Sequence, residues 1–266
     1  MKNKTKQFGQ NFLIDKNIVG KILKYSDIEQ DDTVIEIGPG KGALTVKLLN
    51  ACKKLILIEI DSFLIETSLN ELIKNTNAEL INSDFLKLDL LRLIPENSVL
   101  IGNLPYSSAA KMIMKIAESN LKIKRCIFMI QKEMADRILA KPSSSQYNAY
   151  TVLLNLRFSP QFLFDVSPSC FYPKPQVLSS VIKLTANPEF YPLPDSFKIN
   201  FSKFAHSAFA NKRKTLINSV SHNLSLDKQI IIESLKKINL NPDSRAEELS
   251  LRQFIELFDC IQNYSE

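Results

Sequence analysis

The sequence predicts an α/β domain built on a mostly parallel sheet with an antiparallel edge, followed by a small all-helical domain. Three observations lead there. Short runs rich in β-branched residues alternate with helix-period segments from Thr33 to Ile130, the pattern of a parallel sheet covered on both faces. After residue 150 strand-like runs follow one another without intervening helices. Beyond a proline-rich break only helical patterns remain.

In chain order, Thr33–Ile37 (TVIEI), Leu55–Ile60, Glu79–Asn82, Val99–Ile101 and Ile127–Ile130 read as buried strands. Between them Leu44–Leu49, Phe63–Lys74 and Ala109–Glu118 carry apolar positions at helical spacing. The runs TVLLNLRF, FLFDV and VLSSVIKL read as antiparallel strands at one sheet edge. Asn187–Ser196 holds three prolines within seven residues, which suits neither helix nor central strand. The segments Phe197–Phe209, Lys212–His222, Asp227–Ile238 and Ser250–Gln262 then read as helices, with Asp227 and Ser250 as N-caps. These patterns divide the chain into domains 1–188 and 189–266.

The composition excludes several classes. At 45% hydrophobic and 23% charged residues the chain can pack a core and is not disordered. Four separated cysteines, none in a CxxC pair, argue against a disulfide framework or zinc site and for a reducing compartment. Both histidines, His206 and His222, fall late, which removes histidine triads and the common metal motifs from the first 200 residues, and no metal is expected. No apolar run of signal-peptide or membrane-spanning length occurs, so a cytoplasmic protein with no membrane partner is expected. The net charge of +6 is concentrated: residues 1–25 carry six lysines against Asp15 alone, and residues 196–222 carry five cations and no acid. Such basic stretches are compatible with nucleic acid.

Glycine is scarce, six in 266 residues, and three are spent in one loop, EIGPGKG, directly after the first strand of the alternating series and before a helix. Gly38, Gly40 and Gly42 there permit a tight turn and close approach of a ligand. Gly38-x-Gly40-x-x-Ala43 also satisfies the relaxed dinucleotide fingerprint, so the loop alone does not separate a nicotinamide cofactor from other adenosine ligands. Glu36 ahead of it favours S-adenosylmethionine, whose amino-acid group and sulfonium replace a pyrophosphate. Glu59, at the next strand end, can accept both ribose hydroxyls, and Asp84, at the end of the third, can accept from an adenine amine.

The fourth strand ends in Gly102-Asn103-Leu104-Pro105-Tyr106. Adenine N6 is a poor nucleophile because its lone pair is delocalised into the ring. Two acceptors aimed at its hydrogens, the Asn103 carboxamide oxygen and the Leu104 carbonyl, would localise that pair towards a methyl donor, while Tyr106 offers a stacking face.

With these motifs on the page the chain resembles the ribosomal RNA adenine dimethyltransferases of the KsgA type, which share a catalytic domain with the Erm methylases. The resemblance covers nearly the whole chain: FGQNFLID (Phe8–Asp15), EIGPGKGALT, Glu59, Asp84, NLPY, QKEMADRILAKP, FYPKPQVLSSV, AFANKRKTLINSV and RAEELSLRQF. It implies a Rossmann-like class I S-adenosylmethionine-dependent methyltransferase domain, cofactor contacts from Asn11, Leu13, Gly38, Gly40, Glu59, Asp84 and Asn103, and Phe171 stacking on the target adenine opposite Tyr106. It implies dimethylation of two adjacent adenosines near the 3′ end of 16S rRNA in the small ribosomal subunit, and with it a role in rRNA processing and ribosome biogenesis; a monomer is expected. The triplet Lys212, Arg213 and Lys214 would contact RNA phosphates. One departure is that NLPY continues as SSAAK where many relatives have Asn after the tyrosine. The remaining alternatives are an Erm-like methylase of large-subunit rRNA, a non-catalytic ribosome-assembly factor and a nicotinamide-dependent oxidoreductase.

Overall fold

A computed structural model describes residues 10–190, 193–211 and 213–264. The first elements among these residues are β1 (Phe12–Leu13) and α1 (Lys16–Ser26), which begins where the Asp15 carboxylate accepts from the Asn17 and Ile18 amides. The run TVIEI forms β2 (Thr33–Ile37), followed by α2 (Thr45–Leu48), β3 (Lys54–Glu59), α3 (Ser62–Leu64), a π turn and α4 (Asn70–Ile73). Then come β4 (Glu79–Asn82), α5 (Leu90–Leu93), β5 (Ser98–Asn103), α6 (Ala109–Glu118), β6 (Ile123–Gln131) and α7 (Lys132–Ile138). After them run α8 (Ala149–Arg157), β7 (Phe158–Val166), β8 (Phe171–Tyr172) and β9 (Ser179–Ala186). The chain finishes with α9 (Asp195–Phe209), α10 (Leu216–Leu224), α11 (Lys228–Lys237) and α12 (Leu251–Gln262).

Among the described residues seven strands form one sheet in the order β4-β3-β2-β5-β6-β9-β7. The pairs β4-β3, β3-β2, β2-β5 and β5-β6 are parallel, and β9 runs antiparallel to β6, so the mixed sheet expected from the sequence is present. The strand order reverses between β2 and β5, which opens a crevice at their carboxyl ends. A separate two-stranded ribbon pairs β1 with β8 antiparallel, setting Phe12 opposite Tyr172 and Leu13 opposite Phe171.

The chain divides into two compact units, one of residues up to Ala135 with Ser159–Ala186, the other of Asp136–Phe158 with everything from Asn187 on. The core of the first includes Val34, Leu57, Val99, Ile101, Ile127 and Val181. The second is aromatic: Phe258 meets Phe201 edge-on with ring centroids 5.5 Å apart, and Phe254 meets Phe204 in the same way at 6.2 Å. A single cut near residue 188 therefore does not describe the packing, because Tyr147, Val152 and Leu156 are buried with Phe201 and Phe204.

Two expectations change. TVLLNLRF is the helix α8, not a strand: the Asn148 side chain accepts from the Tyr150 and Thr151 amides and the Thr151 hydroxyl accepts from the Asn148 amide. A run apolar on nearly every side has no readable period, so the cap decides. The helix expected from Lys212 begins only at Leu216, where the Thr215 hydroxyl accepts from the Asn218 amide, so Arg213 and Lys214 stand in the connection before α10. Among the described residues no helix is long and apolar enough to cross a membrane.

Candidate active site

The carboxyl ends of β2, β3, β4 and β5, together with β1, enclose a cavity of about 520 Å³. Asn11, Leu13, Gly38, Gly40, Glu59, Asp84, Asn103, Leu104 and Tyr106 all line it, although their sequence positions span almost a hundred residues. Parallel strands bring this about: each delivers its last residue to the same edge.

Two glycines are fixed by what surrounds them. Gly40 has φ +59°, and a β-carbon there would lie 3.1 Å from the Phe12 ring, so the loop closes against the protein's own N-terminal strand as well as towards the ligand. At Gly102 a β-carbon would stand 2.4 Å from the Ile37 carbonyl oxygen, which only the absence of a side chain avoids. That contact draws the end of β5 against the end of β2 and presents Asn103 beside the glycine loop.

The three acids differ in their surroundings. The Glu36 carboxylate is buried and accepts from the Thr45 hydroxyl at 2.7 Å. Burial raises its pKa to about 8 against the opposing Thr45 bond, with the Glu59 charge adding to the rise. Glu59 is also buried and pushed up by desolvation, though its two oxygens accept from the Asp61 amide at 3.0 Å and the Gly40 amide at 3.1 Å. These bonds fix the carboxylate and leave lone pairs for two hydroxyls. Asp84 Oδ1 accepts from the Leu86 amide at 2.9 Å, closing the turn after β4.

At the substrate end, Asn103 Nδ2 donates to the Asn11 carbonyl at 2.9 Å, which turns Oδ1 away as the acceptor left for a ligand. The Leu104 amide donates to Met129 O at 3.1 Å, and the Pro105 carbonyl receives the Ser108 and Ala109 amides, so the NLPY turn runs directly into α6. The continuation SSAAK thus supplies this entry turn and the first residues of the helix. The Tyr106 hydroxyl is 2.7 Å from the Ser179 hydroxyl of β9, and burial holds its pKa above the ordinary phenol value.

Phe171 is placed differently from expectation. Its ring is 3% exposed, packs in the sheet core with Leu13, Val19 and Val166, and is not part of the cavity wall. In the ribbon Leu13 lies opposite Phe171 and packs in the same core, although Leu13 also reaches the cavity wall, while Phe12 lies opposite Tyr172. Phe12 faces the cavity and Tyr172 is exposed. In the helical unit Arg213 and Lys214 are exposed, whereas Lys212, Phe8 and Gly9 lie outside the described residues.

Reading strand ends one at a time misses several neighbours. Lys115 on α6 donates to Leu86 O and Leu88 O, both at 2.6 Å, and so holds the turn that follows Asp84. Lys41, in the glycine loop, stands over the Phe12 ring at 4.9 Å from its centroid. Gln10 Oε1 is buried at the cavity without a hydrogen-bond partner among the described residues. A ligand with an N–H donor would satisfy it, the Glu59 and Asp84 carboxylates suit a ligand bearing ribose hydroxyls and an adenine amine, and Ile60, Phe85 and Met112 form a wall for the base. The donor set fits S-adenosylmethionine.

The sequence profile of the family described as Ribosomal RNA adenine dimethylase matches residues 1–263. The chain is 37% identical over 261 residues to the Ribosomal RNA small subunit methyltransferase A of Caldanaerobacter subterraneus subsp. tengcongensis, covering 96% of each. It is 38% identical over 258 residues to the protein of the same name from Clostridium botulinum, covering 96% of this chain and 93% of that one. Among solved structures it resembles a dimethyladenosine transferase from Plasmodium falciparum at 27% identity and a TM-score of 0.79, over 92% of this chain and 95% of that one. It also shares the fold of the 23S rRNA methyltransferase ErmE, with a TM-score of 0.72 at 22% identity over 95% and 100% of the two chains. A methyltransferase cavity at the sheet's switch point and a match along nearly the whole chain lead to one conclusion: the chain belongs to the ribosomal RNA adenine dimethylase family, enzymes that take methyl groups from S-adenosylmethionine.

Proposed function

We propose that this chain dimethylates N6 of two adjacent adenosines near the 3′ end of 16S rRNA, acting as a monomer on the small ribosomal subunit in the cytoplasm during ribosome biogenesis. The observation that carries the reading is the Asn103 carboxamide, locked through Nδ2 to Asn11 O with its acceptor end left for N6. The choice of subunit is supported by the names of relatives 37% and 38% identical to it.

When bound, S-adenosylmethionine supplies a methyl carbon activated by its sulfonium. Glu59 would hold the ribose hydroxyls, Asp84 the adenine amine, Asn11, Leu13, Gly38 and Gly40 the remaining cofactor surface, and Gln10 a donor that satisfies its buried oxygen. Asn103 Oδ1 and the Leu104 carbonyl accept the two N6 hydrogens of an unstacked adenosine, which favours a lone pair localised on the nitrogen over one delocalised into the ring. The Tyr106 ring gives the base one flat face, and its hydroxyl stays protonated and fixed to Ser179. Stacking by Phe171 on the other face requires its ring to leave the core. No side chain has to act as base: the proton goes from N6 to water after the nitrogen has bonded to carbon. In the helical unit Arg213 and Lys214 would hold RNA phosphates.

The test is transfer of labelled methyl into unmethylated small subunits, with the modified nucleoside mapped and Asn103→Ala as control. Label in N6,N6-dimethyladenosine near the 3′ end of 16S rRNA is expected. Label in large subunits alone, or binding without transfer, overturns the proposal.

A further inference from the structure

We propose that Lys41, in the glycine loop after β2, binds the α-carboxylate of S-adenosylmethionine and so makes the site selective for a cofactor with an intact amino-acid end. This rests on the cofactor alone and not on which RNA is methylated. Strand order gives the direction in which the cofactor lies. In the sheet β4, β3, β2 and β5 are neighbours in that order. Asp84 follows β4 and suits the adenine amine, and Glu59 ends β3 and suits the ribose hydroxyls. The next position along the edge is the loop after β2, and beyond it stands Asn103 at the end of β5, where the base is methylated. The methionine end of the cofactor therefore falls at residues 38–42, with the sulfonium towards Asn103.

That end carries a carboxylate, and the rest of the lining is poorly suited to it. Glu36, Glu59 and Asp84 are carboxyl groups themselves. Glycine loops that bind anions do so through backbone N–H groups. Here the three glycine amides are already used: Gly38 donates to Ile58 O at 2.9 Å, Gly40 to Glu59 Oε2 at 3.1 Å and Gly42 to Pro39 O at 2.9 Å. An anion at the loop is thus left to a side chain. Among the described residues Lys41 is the one cation that lines the cavity.

The side chain is placed for that task without being neutralised. Its Nζ stands 4.9 Å from the centroid of Phe12, the ring against which the loop closes at Gly40. The ring face attracts the ammonium but leaves its N–H groups to donate elsewhere. Among the described residues Lys41 forms no ion pair, whereas the Lys54 ammonium lies 2.9 Å from the Glu79 carboxylate. Lys41 is also exposed, so an anionic group entering the cavity can reach it.

The test is calorimetric binding to the full chain of two ligands, S-adenosylhomocysteine and its analogue lacking the carboxylate. Wild type, Lys41→Gln, Lys41→Arg and Lys47→Gln are compared. Lys47 is an exposed lysine of α2 outside the cavity lining and serves as control. Melting temperatures without ligand check that each variant is folded. The wild type is expected to prefer the ligand with the carboxylate. Lys41→Gln should weaken that ligand about five-fold, the effect of one exposed ion pair of good geometry, and leave the analogue unchanged. Lys41→Arg should keep the preference, and Lys47→Gln should match the wild type. Equal losses for both ligands would make Lys41 a packing residue on Phe12 and overturn the proposal. Unchanged cofactor affinity in Lys41→Gln also overturns it, and weaker binding of unmethylated small subunits by that variant would then assign the ammonium to an RNA phosphate.

Discussion

The Asn103 side chain is held by the backbone carbonyl of Asn11, 2.9 Å from Nδ2, so the residue leading into β1 orients the one that faces the base. Asn103→Ala removes the acceptor and is expected to reduce methyl transfer by about 10² to 10³-fold, while cofactor affinity falls only a few-fold. Asn103→Asp keeps acceptor oxygens but can no longer donate to Asn11, and should be nearly as impaired. Normal turnover by either variant in single-turnover assays would contradict the orientation described for N6.

Glu36 gives a pH signature. Its pKa in the folded chain, about 8, lies above the ordinary 4.5. Between these values the folded protein keeps a proton that the unfolded chain has lost, so stability falls as pH rises through that window and the penalty is complete above about 8. Glu36→Gln removes the penalty. Without cofactor the variant should melt higher than wild type at a pH of about 9, with the advantage shrinking towards pH 4.5. Calorimetry at both ends checks this, and a constant difference would show that Glu36 does not titrate in the window. Affinity for the cationic cofactor should tighten as pH rises through about 8, and affinity for uncharged-sulfur S-adenosylhomocysteine should rise less.

Phe171 and its neighbour separate packing from stacking. Phe171→Ala should cost about 3 to 5 kcal/mol, the usual loss for a buried ring, and Tyr172→Ala almost nothing. If the Phe171 ring turns out of the core to meet the base, Phe171→Leu, which preserves most of the packing, should cut transfer about ten-fold with a small change in melting temperature. Full activity of Phe171→Leu with loss of activity in Tyr172→Ala would hand the stacking role to the exposed ring.

Lys115 holds the turn behind Asp84 through two carbonyls. Lys115→Met should raise KM for the cofactor several-fold with kcat within about two-fold, because the turn loosens but the NLPY end of the site does not change. A fall in kcat at unchanged KM would place its effect on the substrate side instead.

Much of the fold was legible because its signals are local. TVIEI and the runs that follow it are apolar over strand length, and Asp227 and Ser250 mark their helices by caps that the structure contains. The α8 segment was not, since its apolar residues cover several sides of the helix and only Asn148 distinguishes it from a strand. The cavity-lining acids could be found because strand order brings strand ends together. The bonds that set the site, Thr45 to Glu36, Asn11 to Asn103 and Lys115 to Leu86, join residues 9, 92 and 29 positions apart and leave no periodic trace. The burial of Phe171 was not legible because its orientation depends on which residue of β1 it faces, a matter of register that the sequence does not display.

The ribbon of β1 and β8 also bears on timing. Asn11 is fixed beside Phe12 and Leu13, whose partners are Tyr172 and Phe171. During synthesis the glycine loop and the NLPY turn leave the ribosome long before that partner strand does. A nascent chain stopped short of residue 172 has all five parallel strands, β2 to β6, but lacks the partner of β1, so the Asn11 carbonyl that anchors the Asn103 amide is expected to settle only when the two ends of the catalytic unit meet.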